Sequence, residues 1–160
     1  MADRIAVMDR GRLVQVAAPR TLYEAPNSRW IAGFVGDINL IEGRVAQFGD
    51  GRVTVASEGG ASVIASGSTK VGAAVAIAVR PEKIMLSADA APQGAVNAYA
   101  GRIAEIGYLG DASVYRVTLD NGVALRVSTP NATRRASEAF VTGQRVIASF
   151  APDDCVVLEQ

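Results

Sequence analysis

Residues 113–128 read Ser-Val-Tyr-Arg-Val-Thr-Leu-Asp-Asn-Gly-Val-Ala-Leu-Arg-Val-Ser, and they carry the clearest indication of the fold. Apolar and polar side chains alternate on both sides of Asn121-Gly122, so that Tyr115 and Leu119 share one face of the first run. Alternation with a period of two is typical of a β-strand that has one buried face. Asn-Gly favours the type I′ turn that joins two paired strands. The stretch therefore predicts an antiparallel β-hairpin.

Short runs of the same kind recur on both sides of this hairpin, separated by Gly, Asn, Asp and Ser. The predicted strands are Leu40–Phe48, Arg52–Ser57, Ser62–Ala65, Ala73–Val79, Lys83–Ser87, Tyr99–Ile106, Ser113–Leu119, Val123–Val127, Gln144–Phe150 and Cys155–Leu158. A small, polar stretch with Pro and Gly, residues 88–97, marks a linker between the two sets. We therefore predict a mainly β fold of two small OB-like barrels, with lobe one at about 37–88 and lobe two at about 98–160.

Two weaker signals lie within these lobes. Glu42-Gly43-Arg44-Val45 is echoed by Ala100-Gly101-Arg102-Ile103, a four-residue internal repeat near the start of each set. The stretch Thr133–Phe140 is helix-like, and Arg134-Arg135 within it is either an anion site at a helix start or an exposed basic pair.

The first 36 residues have a different character. The predicted elements are a hairpin of Ile5–Met8 and Leu13–Val16, a helical turn Arg20–Glu24 that follows Pro19, and a helix from Ser28 through Val35. Gly36 is placed to end this helix in a left-handed conformation with a positive φ angle. Trp30 and Phe34 stand four residues apart on one face of the helix, so we expect them to pack on an apolar surface.

Composition narrows the classes of function. Half of the residues are hydrophobic (49%), and 16 basic side chains balance 16 acidic ones. A core can form, while the positive charge that favours nucleic acid or an anionic membrane is missing on average. We find no signal peptide and no apolar run near the roughly 20 residues of a membrane span. The single cysteine, Cys155, fits a reducing cytoplasm and is expected to be a small buried hydrophobe. The absence of histidine excludes His-based acid–base catalysis and most zinc sites.

Residues 2–36 resemble, in their order of hairpin, Pro-started turn and Gly-ended helix, the closing segment of the ATPase domain of an ABC importer subunit. The rest resembles the TOBE regulatory region of such ATPases, of the maltose and spermidine/putrescine type. The matching stretches are Gly36–Gly43, Val79–Ile84, Gly107–Asp111, Pro130-Asn131 and Phe150–Leu158. The tail Phe150-Ala-Pro-Asp153-Asp154 is similar to the Trp-x-Pro-Glu-Asp of the polyamine-type branch.

The resemblance implies that residues 1–36 are the remnant of the ATPase domain and residues 37–160 a regulatory and dimerisation domain. The intact subunit would bind ATP and magnesium, form a homodimer, drive a membrane permease, and lie on the cytoplasmic face of the cell membrane without inserting into it. We expect no cofactor in this chain and no nucleic-acid partner. Two other functions stay open: a module that senses a small solute in an inter-lobe cleft, and, less favoured, a nucleic-acid-binding OB domain.

The residues that hydrolyse ATP are missing from this sequence. A P-loop needs Gly-x-x-x-x-Gly-Lys followed by Ser or Thr, whereas the two lysines, Lys70 and Lys83, precede Val71 and Ile84. Neither a Ser-Gly-Gly-Gln signature nor the switch histidine of the family is present. We therefore predict that the chain itself is not an enzyme.

Three sets of residues are candidate interface or regulatory sites. Arg80 and Glu82 flank Pro81 at a strand end, where they form either a polar clamp between lobes or subunits or an ordinary solvated end. Tyr108, Asp111 and Glu105 form either an acidic and aromatic spot for a cation such as a polyamine, or a hairpin with Tyr108 in the core. Trp30 and Phe34 are interface candidates. We expect them, with residues 2–36, to pack on a partner chain, the alternative being a monomer in which these residues fold back on their own lobes.

Overall fold

The computed structural model describes residues 2–131 and 140–159, which form mainly β-strands. The elements are β1 (Ile5–Asp9), β2 (Arg12–Ala17), α1 (Pro19–Glu24), α2 (Arg29–Phe34), β3 (Asn39–Gly49), β4 (Arg52–Ser57), β5 (Ser62–Ser66), β6 (Ala74–Val79), β7 (Met85–Ser87), β8 (Asn97–Tyr108), β9 (Ala112–Leu119), β10 (Ala124–Pro130), β11 (Arg145–Phe150) and β12 (Cys155–Glu159). Short 3-10 turns at Pro81–Lys83 and Pro152–Asp154 precede β7 and β12. The predicted helical stretch Thr133–Phe140, apart from its last residue, and the pair Arg134-Arg135 lie outside the described residues.

The strands of the described residues form two five-stranded antiparallel sheets and one separate hairpin. Lobe one has the order β12-β6-β3-β4-β5, and lobe two has the order β10-β9-β8-β11-β7. The hairpin of β9 and β10 pairs Val117 with Leu125, as the alternation on either side of Asn121-Gly122 predicts. In lobe one the edge strands β5 and β12 meet, and the Thr69 hydroxyl donates to Glu159 Oε1 at 2.6 Å, so the sheet curls towards a barrel. The mainly β, OB-like prediction is confirmed.

The predicted lobe boundaries need one correction. β7 lies before the linker in sequence, yet it pairs with β11 of lobe two, and β12 at the end of the described chain pairs with β6 of lobe one. Each 3-10 turn carries the chain away from its own sheet, because proline at its start cannot donate to the ladder. The two lobes therefore exchange their last strands.

The four-residue echo marks a structural repeat. Gly43 and Gly101 each face the backbone of the neighbouring strand so closely that an added Cβ would lie 2.4 Å from Ala56 O and 2.6 Å from Thr118 O, respectively. A β-bulge follows each glycine in β3 and β8. The arginines next to them donate from Nη1 to equivalent loop carbonyls, Arg44 to Gly72 at 3.2 Å and Arg102 to Gly143 at 3.1 Å.

Each lobe also sends a buried asparagine to the outer edge of the other lobe. Asn97 on β8 accepts from Ile64 N at 2.9 Å and donates to Ile64 O at 2.8 Å, and Ile64 lies on edge strand β5. Asn39 on β3 does the same to Arg126 on edge strand β10, at 2.7 and 2.8 Å. These amides replace the missing neighbour strand, so they protect both edges and join the lobes.

The interior of the two lobes is continuous. One cluster of buried side chains contains Ile41 and Val63 of lobe one together with Tyr115 and Val127 of lobe two. Cys155 is buried in this shared core, as expected, and burial raises the pKa of its thiol to about 12. In the part of the chain that the structure describes, no helix is long and apolar enough to cross a membrane.

The N-terminal segment, residues 2–36, folds as predicted into a hairpin and two helices. Ser28 is the N-cap of α2, and its hydroxyl accepts from Ile31 N at 3.3 Å. Gly36 follows the helix with φ of 151°, positive as predicted but far from the roughly 57° of a left-handed helical residue. Val7, Leu22 and Ile31 form the segment's own small core.

The segment folds back onto lobe one of the same chain, through Ala32 of α2 and Ala78 of β6. Folding back on the lobes is the arrangement expected of the monomer, and packing of the exposed side of the segment on a partner chain stays a prediction. Trp30 and Phe34 stack on each other, with ring centroids 5.1 Å apart, and are 43% and 65% exposed. Within this chain the two rings contact each other and stay largely exposed, and the expectation that they pack on an apolar surface of a partner chain stays a prediction. Ile31 and Ala32, which lie between them in the sequence, are the buried residues of the helix.

Candidate functional site at the joint between the N-terminal segment and lobe one

The joint is built around Arg80, the residue that follows β6. β6 is buried along most of its length, and Arg80 continues it in an extended conformation with only 5% of its surface exposed. Pro81 then ends the strand and starts the 3-10 turn. The side chain of Arg80 is thus fixed at its base and points into the contact between lobe one and the N-terminal segment.

Arg80 donates to four backbone carbonyls of that segment and its boundary with lobe one. Nη1 contacts Ala32 O at 3.1 Å, Gly36 O at 3.1 Å and Asp37 O at 2.9 Å, and Nη2 contacts Tyr23 O at 2.9 Å. Ala32 and Tyr23 lie near the C-terminal ends of α2 and α1, where helix carbonyls have no partner within the helix. A cation at these ends also complements the helix dipoles. Arg80 therefore fixes both helices to lobe one.

Tyr23 forms the second part of the joint. Its ring lies under the Arg80 guanidinium, with 4.0 Å from Cζ to the ring centroid, which is a cation–π contact. Its hydroxyl donates to Glu82 Oε1 at 2.6 Å. Burial, followed by this hydrogen bond to Glu82, raises the pKa of Tyr23. Gly36 leaves room for the ring, because an added Cβ would lie 3.3 Å from Tyr23 Cε2.

A half-buried ion pair completes the joint. The guanidinium of Arg29, at the start of α2, donates through both terminal nitrogens to the carboxylate of Glu42 on β3, at 2.7 Å for Nη1 to Oε1 and through Nη2 to Oε2. A two-pronged contact of this kind fixes orientation as well as distance. The beginning of α2 is thereby held to lobe one independently of its end.

The structure brings the predicted pair Arg80 and Glu82 together around Tyr23, between lobe one and the N-terminal segment of the same chain. Arg80 is buried, so the reading of an ordinary solvated strand end does not apply to it. The sequence interpretation missed Tyr23, Arg29 and Glu42. The position of Tyr23 on the last turn of a short helix is the sequence feature that could have marked it as a candidate. Arg29 lies on α2 and Glu42 on β3, so no local sequence pattern predicts that they pair.

The other candidate ligand site is more open than predicted. Tyr108 is 70% exposed, so the alternative that placed it in the core is wrong. Asp111 and Glu105 are also exposed, and Glu105 lies 3.8 Å from Arg116. A neighbouring groove of about 430 Å³ is lined by Glu105 and by two arginines, Arg116 and Arg126. The arginines make this groove unfavourable for a polyamine cation.

The inter-lobe region offers little room for a solute. The pocket lined by Ile41 and Val63 of lobe one and by Tyr99 and Leu119 of lobe two has a volume of about 10 Å³, about that of one water molecule. The solute-sensing alternative therefore has no cleft at this position. Within residues 2–131 and 140–159, no group of three or more side chains is arranged to hold a metal ion.

Comparison with known proteins agrees with the double-lobed architecture. The model of the TOBE domain family matches residues 77–158, just over half of the chain. This chain belongs to the TOBE domain family. The matched residues of this TOBE domain run from β6 through Arg80 and all of lobe two to β12, and the family resemblance drawn from the sequence is confirmed.

Relatives of the TOBE domain chain include ATP-binding proteins for polyamine import. It is 37% identical over 155 residues to the spermidine/putrescine import ATP-binding protein PotA of Pseudomonas aeruginosa, covering 96% of this chain and 43% of that protein. It is 37% identical over 161 residues to the putrescine transport ATP-binding protein PotG of Escherichia coli, covering 99% of this chain and 42% of that protein. The chain thus spans less than half the length of these relatives, in their C-terminal part.

A solved structure with the same fold is the cytoplasmic molybdate-binding protein ModG with molybdate bound. The TM-score is 0.68 at 16% identity, covering 76% of this TOBE domain chain and 96% of ModG. At this identity the likeness concerns the fold, and it supports the OB-like description of the two lobes.

Proposed function

We propose that this TOBE domain is the regulatory and dimerisation part of the ATP-binding subunit of an ABC importer for spermidine, putrescine or a similar organic solute. The observation that supports this proposal most is the 37% identity to PotG over 99% of the chain, which includes the N-terminal segment as well as the lobes. In this proposal residues 2–36 belong to the end of the ATPase domain and residues 37–160 regulate it.

The proposal assigns ATP, magnesium and the membrane permease to the intact subunit. The subunit would lie on the cytoplasmic face of the membrane, with the lobes held to its ATPase domain through the joint at Arg80. Support for a regulatory rather than catalytic role comes from the sequence, in which the P-loop pattern and histidine are missing.

A chimera tests the importer assignment. We expect that PotG of Escherichia coli, with its matching C-terminal part replaced by this chain, restores putrescine uptake in cells without PotG. The matched control is PotG truncated at the same point, which should give no regulated uptake. The proposal fails if the chimera accumulates and hydrolyses ATP yet supports no more uptake than the truncated protein.

We also propose that the chain forms a homodimer through the exposed apolar side chains of the N-terminal segment, which include Trp30, Phe34, Met8 and Leu13. The stacked rings of Trp30 and Phe34 are exposed apolar surface of the kind that another chain tends to cover. Light scattering at micromolar concentration should give twice the monomer mass. Phe34→Ser should shift the mass towards the monomer, whereas Tyr108→Ser, which removes an equally exposed aromatic ring from lobe two, should not. A monomer mass for the unchanged chain contradicts the dimer.

A further inference from the structure

We propose that Arg80 is the pivot of a polar latch, formed with Tyr23, Glu82, Arg29 and Glu42, that lets the N-terminal segment and the lobes separate while both stay folded. This latch would set the position of the lobes relative to the segment. The proposal concerns contacts within this chain, so it does not rest on the importer assignment.

The two bodies have separate hydrophobic cores. The segment is held together by Val7, Leu22 and Ile31, and the lobes by the large cluster that they share. Between the two bodies, the buried apolar cluster of the described residues consists of Ala32, Ala78 and Leu158, with the partly buried Ile38 and Val156 packed against it. Two of the three buried side chains are single methyl groups, so this cluster is smaller than either of the two cores. The hydrophobic effect therefore stabilises each body more than it stabilises their contact.

Polar contacts hold the segment and the lobes together instead. The Arg80 guanidinium bonds to four neutral carbonyls, and its Nε is buried with no hydrogen-bond partner among the residues that the structure describes. Burying a cation is costly when its hydrogen bonds go to neutral groups and the nearby Glu82 carboxylate bonds to the Tyr23 hydroxyl instead. The carbonyls offset that cost only while both helices are docked. In the separated arrangement water would solvate the whole guanidinium. The docked and separated arrangements are thereby brought close in free energy.

The geometry makes this contact cooperative. The four carbonyls come from the ends of two helices and from the residues that follow α2, and they converge on two nitrogens of one side chain. The Tyr23 ring lies on the same guanidinium, and its hydroxyl holds Glu82 at 2.6 Å. Withdrawal of α1 and α2 would break all of these contacts together. Domain contacts that are small and polar in this way commonly permit relative motion.

Hydrogen exchange of the whole chain, followed by mass spectrometry, tests the latch. Lysine keeps the charge of Arg80 but has no fork to reach carbonyls of two helices. We expect Arg80→Lys to raise the exchange rates of amides in α1 and α2 at least tenfold, because helices of six residues are poorly protected once they leave lobe one. The rates in the β1–β2 hairpin, and those in β8 and β9, should stay within twofold, which shows that both bodies remain folded. The matched control is Arg126→Lys, because Arg126 pairs with Asp37 beside the joint at 3.2 Å but is exposed. It should change neither set of rates.

A second variant keeps the test decisive if Arg80→Lys does not fold. Tyr23→Phe removes the hydroxyl that bonds to Glu82 and leaves the ring and all four carbonyls in place, so it should raise exchange in α1 and α2 by a smaller factor, about threefold. Unchanged rates in the helices would overturn the proposal. Faster exchange throughout β8 and β9 as well would also overturn it, because Arg80 would then support the whole fold rather than a separable contact.

Discussion

Gly101→Ala is expected to destabilise the chain by about 3 kcal/mol or more. The added methyl group would lie 2.6 Å from Thr118 O and 2.9 Å from Leu119 Cα, both in the backbone of β9. The backbone of β9 cannot move away without breaking its hydrogen bonds to β8, so the steric strain is not relieved. Urea unfolding, monitored by circular dichroism, measures the change in free energy of unfolding.

Gly107→Ala is the matched control, since Gly107 lies on the same strand. Its added Cβ would have one neighbour, Val114 O at 3.9 Å, which is an ordinary contact. We expect a change within about 0.5 kcal/mol. Equal effects of the two substitutions would show that the loss at Gly101 comes from alanine in the strand and that the close approach to β9 is not the cause.

Asn97→Ala is expected to lower the free energy of unfolding by about 2 to 3 kcal/mol. Asn97 is 1% exposed, and its amide satisfies both the N–H and the C=O of Ile64 on the edge strand of the other lobe. Removing it leaves two backbone groups without partners and weakens the link between the lobes. Asn121→Ala is the control, because the Asn121 amide bonds locally to Val123 N at 3.1 Å. Thermal unfolding of the two variants should show a clearly larger loss for Asn97→Ala, and similar losses would contradict the role given to this amide.

The strands themselves were predictable from sequence because their signals are local. Most predicted ends lie within two residues of the observed ones, since alternation and turn residues act over a few positions. The predicted strand Lys83–Ser87 is shorter in the structure because Pro81–Lys83 forms a 3-10 turn. The alternative that places Tyr108 in the core is wrong because Tyr108 ends β8, where the hairpin extends past the shared core.

The pairing of the strands and the joint at Arg80 could be predicted only in part, because both depend on residues that are far apart in the chain. The amino-acid composition of β7 and β12 does not predict that they are exchanged, since either strand would fit the edge of either sheet. Arg80 could be named as a candidate from its place before Pro81. Its acceptors are backbone carbonyls, which every residue has, so no residue type marks them. Tyr23 belongs to the joint because its ring lies against Arg80 in the folded chain, and the sequence does not show that the two residues are close.

The exchange of last strands also has a consequence for the order in which the protein is made. β12 emerges from the ribosome after all of lobe two, so the outer edge of β6 stays unpaired while 75 residues or so of later chain are still being synthesised. β6 reads Ala-Val-Ala-Ile-Ala-Val, an apolar run with an open edge of the kind that recruits foreign strands. During that interval the nascent chain is exposed to aggregation, until β12, the last of the described strands, pairs with β6.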